Sequence, residues 1–190
     1  MAINLQKGQR VSLDDSLQMA LVGLGWDVNQ FETGGSYDLD ASAFMLGAND
    51  KLIVDSDFVF YNNLSARNGA VVHKGDNLTG EGEGDDEVII INFNKIPDEI
   101  QKIAICVTIH DPTNRLTFGQ VSNAFVRVAK VSSEFDLVGE DQLRFDLGEE
   151  FSIETALLVC EIYRYNGAWK FSAVGAGYSG GLQALVDKYQ

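Results

Sequence analysis

The sequence predicts an all-β fold, an antiparallel β-sandwich of about ten strands with a few short helices, one of them C-terminal. Three observations carry this expectation. Proline is nearly absent, at Pro97 and Pro112 alone. Nineteen glycines punctuate short runs rich in Val, Ile, Phe, Tyr and Thr, residues that fit a pleated, half-buried surface. Few segments between these runs are long enough to form a helix.

The runs Met19–Leu24, Asp40–Leu46, Leu52–Tyr61 and Ala70–His73 open the series. Val88–Phe93, Ile103–His110, Asn123–Val131, Gln142–Leu147, Ala156–Tyr165 and Ala168–Ala176 complete it, at the spacing of a sandwich. Successive residues of a strand point to opposite faces. Leu39, Ala41, Ala43 and Met45 are therefore expected on the core side, and Asp38, Asp40 and Ser42 together on the other. In IPDEIQKI, Pro97 followed by Asp98 and Glu99 suits a single helical turn. YRYNGAWKF sets Asn166-Gly167 between aromatic-rich runs, and Asn-Gly supplies the positive φ angles of a tight hairpin turn. At the end, YSGGLQALVDKYQ places Leu182, Leu185, Val186 and Tyr189 at helical spacing, the mark of a short amphipathic helix lying on the sandwich. With no linker in sight, residues 1–190 read as a single domain.

Composition narrows the function. A hydrophobic content of 45% with 10% aromatics is ample for a packed core. The longest apolar runs, VIII at Val88–Ile91 and ALLVC at Ala156–Cys160, fall far short of the roughly 20 residues a membrane span needs. The opening MAINLQKGQR lacks the apolar core of a signal peptide, so a cytoplasmic location is expected. A net charge of −14 opposes nucleic-acid binding, which relies on Lys and Arg to neutralise phosphates. It suits cations, basic proteins, or surfaces bridged by cations. Cys106 and Cys160 lie in apolar runs and read as reduced core cysteines. Without a CxxC pair, and with only His73 and His110, the chain offers no closed zinc site.

The stretch Gly75–Glu87, GDNLTGEGEGDDE, holds six carboxylates in thirteen residues, interleaved with four glycines and no basic residue. Two unit charges about 4 Å apart repel by roughly 4 kcal/mol near a protein surface. The stretch is either a solvated loop that keeps its carboxylates apart or a loop folded around a cation. A phosphate cradle is excluded, because Gly80 is followed by Glu81-Gly82 rather than Lys and Ser/Thr, and the acid groups repel phosphate. Ca²⁺ takes six to eight oxygens from carboxylates and carbonyls in flexible geometry, and this loop supplies both. Upstream, YDLDASAF adds Asp38, Asp40 and Ser42, and VDSDFVFYNN adds Asp55, Asp57, Asn62 and Asn63. Asp38, Asp40 and Ser42 imitate the start of an EF-hand loop, but its glycine would fall at Ala43 and its bidentate Glu at Asn49, so the loop is not an EF-hand. A calcium site here is assembled from separate loops at one end of a sandwich.

The blocks ALVGLGWD, DLDASAFML, DFVFYNN, GDNLTGEGEGDDE and FGQVSNAFVRV, with IETALLVCEIYRYNGAWKFSAVGAGYSGGL, resemble the TerD family of tellurium-resistance and general-stress proteins over nearly the whole chain. The resemblance implies a non-enzymatic, Ca²⁺-binding β-sandwich holding one or two ions. It also implies a protein that is cytoplasmic or peripheral at the inner membrane, with stress-operon proteins or the inner face of the membrane, reached through calcium, as partners. Carried over position by position, it implies ligands at Asp38, Asp40, Asp76, Glu81, Asp85, Asp86 and Glu87. Asp27 and Asn63 join them from adjoining motifs, and Gly80 and Gly82 as carbonyl donors.

A reading from another class is a metal-dependent phosphoesterase in which paired carboxylates hold two cations about 3.5–4 Å apart. Against it, the acidic segments lack a positioned His or Lys to act as acid. Reduction of tellurite by two separated, buried cysteines is weaker still. His110-Asp111 reads as a strand-end turn, since adjacent strand residues face opposite ways. His73 reads as a partner of the acidic loop. Counting passes leaves one puzzle: an up-and-down path from Asp38 returns Asn62 and Asn63 to the same end but starts Asp76 at the opposite one. Either the short strand at Ala70–His73 breaks the count or two sites exist.

Overall fold

Two β-sheets face one another in the computed structural model, which describes residues 3–14, 16–27, 37–80, 84–111, 116–147, 151 and 153–190. In chain order the strands are β1 (Ile3–Asn4), β2 (Arg10–Ser12), β3 (Met19–Gly25), β4 (Leu39–Leu46), β5 (Phe58–Val59), β6 (Ser65–Ala66) and β7 (Val71–His73). They continue with β8 (Glu87–Asn92), β9 (Lys102–Ile109), β10 (Phe125–Lys130), β11 (Glu140–Asp146), β12 (Ala156–Tyr165) and β13 (Ala168–Tyr178), and the chain ends in helix α1 (Gly181–Tyr189). The first sheet has the order β1-β11-β10-β3-β8-β7-β6 and the second β2-β13-β12-β9-β4-β5. Pairing is antiparallel except between β1 and β11.

The alternation read in β4 holds. Leu39, Ala41, Ala43 and Met45 enter the core between the sheets with Ile89, Ile91 and Val107, whereas Phe44 and Leu46 turn to the outer face of the second sheet. There they pack with Ala104, Cys106, Ala156 and Leu158 beneath Leu185 and Tyr189 of α1, the amphipathic helix expected at the C-terminus. Cys106 and Cys160 are both buried and free, as core cysteines should be. The β12–β13 hairpin turns at Asn166 and Gly167, with φ of 51° and 81°. Among the described residues no helix is long and apolar enough to cross a membrane.

Two expectations give way to tertiary contacts. The helical turn at Pro97 is instead a turn closed by Ile100 N donating to Pro97 O at 3.1 Å, and a 3-10 turn precedes it at Phe93–Lys95. The run Leu52–Tyr61 yields only β5. Buried Asp57 accepts from Arg67 Nε at 2.5 Å and Nη2 at 2.7 Å, and the chain makes a 3-10 turn over Asp55–Asp57. Strand β6, which was not foreseen, adds one further pass before the chain reverses through Arg67, Asn68 and Gly69, all with positive φ. That pass solves the counting puzzle: β7 ends, and Asp76 follows, at the rim where β4 begins.

Candidate functional site

Asp38 precedes β4, Asp40 is its second residue, and Asp76 lies in the connection from β7 to β8. One carboxylate oxygen from each lies within 4.8 Å of those of the other two. Asp40 is 5% exposed, Asp38 half-buried and Asp76 exposed, and Asp38 Oδ1 is buried with no hydrogen-bond partner among the described residues. No Lys or Arg forms an ion pair with any of the three among the described residues. Burial, reinforced by the Asp76 charge, pushes the Asp38 carboxyl up to about 6. Burial, reinforced by Asp38, Glu87 and Asp76, pushes Asp40 up to about 8. Like charges in a poorly solvated place favour the protonated form, and that is the cause of both shifts.

The other described carboxylates of the acidic stretch, Asp85, Asp86 and Glu87, are each held by protein groups. Asp85 folds over the outer face of the first sheet and pairs with Arg127, whose Nη2 lies 2.6 Å from Asp85 Oδ2. Its carboxylate occupies the space above Gly23, where a Cβ would come within 2.2 Å of it. Asp86 accepts from Trp26 N at 2.9 Å and from Asn77 Nδ2 at 3.2 Å. Glu87, 1% exposed, accepts from Ala41 N at 2.6 Å and Asn77 N at 3.3 Å. His73 stands beside it, with Nε2 3.5 Å from Glu87 Oε2 while Nδ1 accepts from Gly75 N at 3.2 Å. Burial raises the carboxyls of both Asp86 and Glu87.

Of the other predicted site residues, Gly80 packs against the Trp26 ring and donates its N–H to Asn77 Oδ1 at 3.1 Å. Asp27 accepts from Asn123 Nδ2 at 2.5 Å. Asn63 closes the turn after β5 by donating to Phe58 O at 2.6 Å and Ser56 O at 3.2 Å. Glu81 and Gly82 lie outside the described residues. Asp38, Asp40 and Asp76 thus form one cluster, Glu87 borders it through its charge and its bond to Ala41 N, and Asp27, Asn63, Asp85 and Asp86 make the contacts given above.

Three neighbours of the cluster escaped the sequence reading. His110 N donates to Asp38 O at 2.8 Å, and the His110 ring meets the Tyr61 ring edge-on at 6.3 Å. Burial and then the charges of Asp40, Asp76 and Asp38 raise the Tyr61 hydroxyl, which places Tyr61 at the edge of the same field. Thr108 faces Asp40 directly across the β4–β9 ladder. The available signal was the alternation in ICVTIH, which sets Cys106, Thr108 and His110 on one face.

An acidic β-sandwich that gathers carboxylates from a strand and a glycine-rich connection at one rim is the class of protein this fold and site define. The chain belongs to the TerD family: its residues 1–189 match the TerD domain. It is 50% identical over 193 aligned positions to general stress protein 16U of Bacillus subtilis (strain 168), covering 100% of this chain and 97% of that protein. It is 49% identical to tellurium resistance protein TerD of Serratia marcescens, with the same coverage of both. Among solved structures, a homologue of telluride resistance protein (TerD) from Streptomyces coelicolor A3(2) has the same fold, with a TM-score of 0.74 at 23% identity, over 90% of this chain and 96% of that one. The family is one of tellurium resistance and general stress response, and these relatives bear the names of resistance and stress proteins rather than enzymes.

Proposed function

We propose that this chain is a non-enzymatic Ca²⁺-binding protein of the stress response, a metal-switched sensor or scaffold in which Asp38, Asp40 and Asp76 hold the ion. One observation carries the reading: three carboxylates converge within 4.8 Å, two of them at least half-buried, with no basic side chain paired to any of them among the described residues. The donor set is all oxygen, the preference of a hard divalent cation, and Asp38 Oδ1, without a partner among the described residues, is an oxygen in want of one. Bound Ca²⁺ would supply the positive charge that ionises Asp38 and Asp40. These residues, for their part, orient the ligands, and Asn77 ties the loop carrying Asp76 to Glu87 and Asp86.

In this reading the ion orders the connection between β7 and β8 and changes its affinity for a partner. The large negative charge that remains favours basic surfaces of other stress-operon proteins, or the inner face of the membrane bridged through calcium, in a cytoplasmic setting. Calorimetric titration of the full chain with Ca²⁺ is the test, with Asp40→Asn as control. Saturable binding abolished in Asp40→Asn is expected, and wild-type binding no tighter than that of a generic acidic peptide would overturn the proposal.

A further inference from the structure

On the outer face of the second sheet, side chains grade from polar to apolar along two neighbouring strands. Away from the acidic rim, the β4 side presents Asp38, Asp40, Ser42, Phe44 and Leu46 in turn, and the β9 side His110, Thr108, Cys106 and Ala104. The register sets Asp40 opposite Thr108 and Ser42 opposite Cys106. Phe44, Leu46, Ala104 and Cys106 are covered by α1. Between that apolar patch and the carboxylates stand Ser42 and Thr108, 0% and 1% exposed.

Neither hydroxyl has a hydrogen-bond partner among the described residues. Burying a hydroxyl without a partner is costly, and native proteins leave few such groups. Packing alone does not call for them, because Ala and Val fill nearly the same volumes without the cost. Residues directly opposite in an antiparallel pair bring their Cβ atoms to about 4.5–5.5 Å, so Thr108 is the immediate lateral neighbour of Asp40. Ser42 is its neighbour along the strand. Two hydroxyls without partners among the described residues thus border a carboxylate cluster with which, among those residues, no Lys or Arg forms an ion pair.

We propose that Ser42 and Thr108 form the inner wall of the cation site, offering neutral oxygens to the ion or to its bound water behind Asp38, Asp40 and Asp76. The inference rests on the cation-binding reading above. Three carboxylates already outweigh the charge of one divalent ion. Further carboxylates would deepen the repulsion, whereas hydroxyls add coordinating or hydrogen-bonding oxygens without it. With the ion bound, the two hydroxyls gain the partners that the described residues do not give them.

The test compares wild type, Thr108→Val, Ser42→Ala, the double variant and Thr108→Ser by calorimetric Ca²⁺ titration of the full chain, and by thermal melting in chelator. The double variant is expected to bind Ca²⁺ about tenfold more weakly or worse, while Thr108→Ser, which keeps the hydroxyl, stays close to wild type. In chelator the double variant should melt at or above the wild-type temperature, because two unpartnered hydroxyls are gone. Unchanged Ca²⁺ affinity in the double variant overturns the inference, as does a lower melting temperature in chelator, which would show that the hydroxyls have partners within the protein. Wild-type protein that takes up no Ca²⁺ overturns both readings together. Binding abolished by Asp40→Asn yet indifferent to the hydroxyl variants overturns this one alone.

Discussion

Glu87 reaches from one sheet to the other and accepts the Ala41 N–H at 2.6 Å, with both residues buried. Strand β5 pairs with β4 only at Ala43 and Phe44, so among the described residues this part of the β4 edge has no strand beside it. The carboxylate stands where a neighbouring strand's carbonyl would, and satisfies a buried donor that must otherwise go unpaired.

Glu87→Ala should therefore cost about 2 kcal/mol, since it orphans the Ala41 N–H and releases Asn77. For a chain of this size that is a fall of roughly 4–8 °C in melting temperature. Glu87→Gln keeps an acceptor for Ala41 and should lose less. Equal melting of wild type and Glu87→Ala would show that the bridge between the sheets contributes nothing.

Two carboxylates nine positions apart should respond in opposite directions to the same substitution. Asp76 adds to the charge that disfavours ionised Asp38 and Asp40, so Asp76→Asn should raise the melting temperature in chelator. Asp85 is nearly buried and bound by Arg127, which also holds Asp141 and Val138 O. Asp85→Asn should lower stability by about 2 kcal/mol, because it weakens a partly buried charge pair. Gly23→Ala should act like Asp85→Asn, through the clash at 2.2 Å. Thermal melts of the three variants in chelator decide the point, and Asp76→Asn and Asp85→Asn shifting the same way would refute it.

Which carboxylates would behave in which way was only partly legible in the sequence. Period-2 alternation identified Leu39, Ala41, Ala43 and Met45 as core and Asp38 with Asp40 as a shared face, because a strand's geometry is local. It could not show that Asp85 meets Arg127, since that contact spans 42 positions and depends on the empty space above Gly23. Nor could it show that Glu87 would be needed by the edge of β4, which follows from the shortness of β5. Ahead of β5 the chain makes a 3-10 turn over Asp55–Asp57, with Asp57 paired to Arg67. Thr108 lay within reach of the alternation rule, but only the β4–β9 register gives it Asp40 as a neighbour.

The pH dependence follows from the cluster. Asp40 titrates at about 8 and Asp38 at about 6 in the folded chain, against an ordinary value of 3.8. Between pH 5 and 8 the folded state thus holds protons that the unfolded chain has released. Stability without metal must therefore fall as pH rises through that window and level off above the Asp40 value. Under the proposed function, Ca²⁺ would bind the ionised carboxylates and displace those protons, so the difference between melting temperatures in Ca²⁺ and in chelator should widen from pH 5 to pH 8. Asp40→Asn should flatten the chelator profile. A calcium increment largest at pH 5 contradicts the assignment.

Ion binding should also be visible in the mobility of the loop. If the folded chain binds Ca²⁺ and the unfolded chain does not, a concentration of 100 times the dissociation constant adds about 2.7 kcal/mol per site. That corresponds to a rise of roughly 5–11 °C in melting temperature. The effect on hydrogen exchange should be local. Amides between Gly75 and Gly80 hang on side-chain acceptors, with Thr79 N and Gly80 N both donating to Asn77 Oδ1 at 3.1 Å, and the repulsion around Asp76 loosens them when no cation is present. The amides of β12 and β13 are held by a long antiparallel ladder and the packed core, and the turn at Asn166 and Gly167 lies at the end away from the pairing of Ala156 with Thr108. Chelator should accordingly speed exchange in Gly75–Gly80 and leave the β12–β13 hairpin unchanged. Asp38→Asn should reproduce much of that effect and make further chelator nearly silent. Exchange in Gly75–Gly80 that ignores millimolar Ca²⁺, together with an unmoved melting temperature, would mean that the three carboxylates meet without holding an ion.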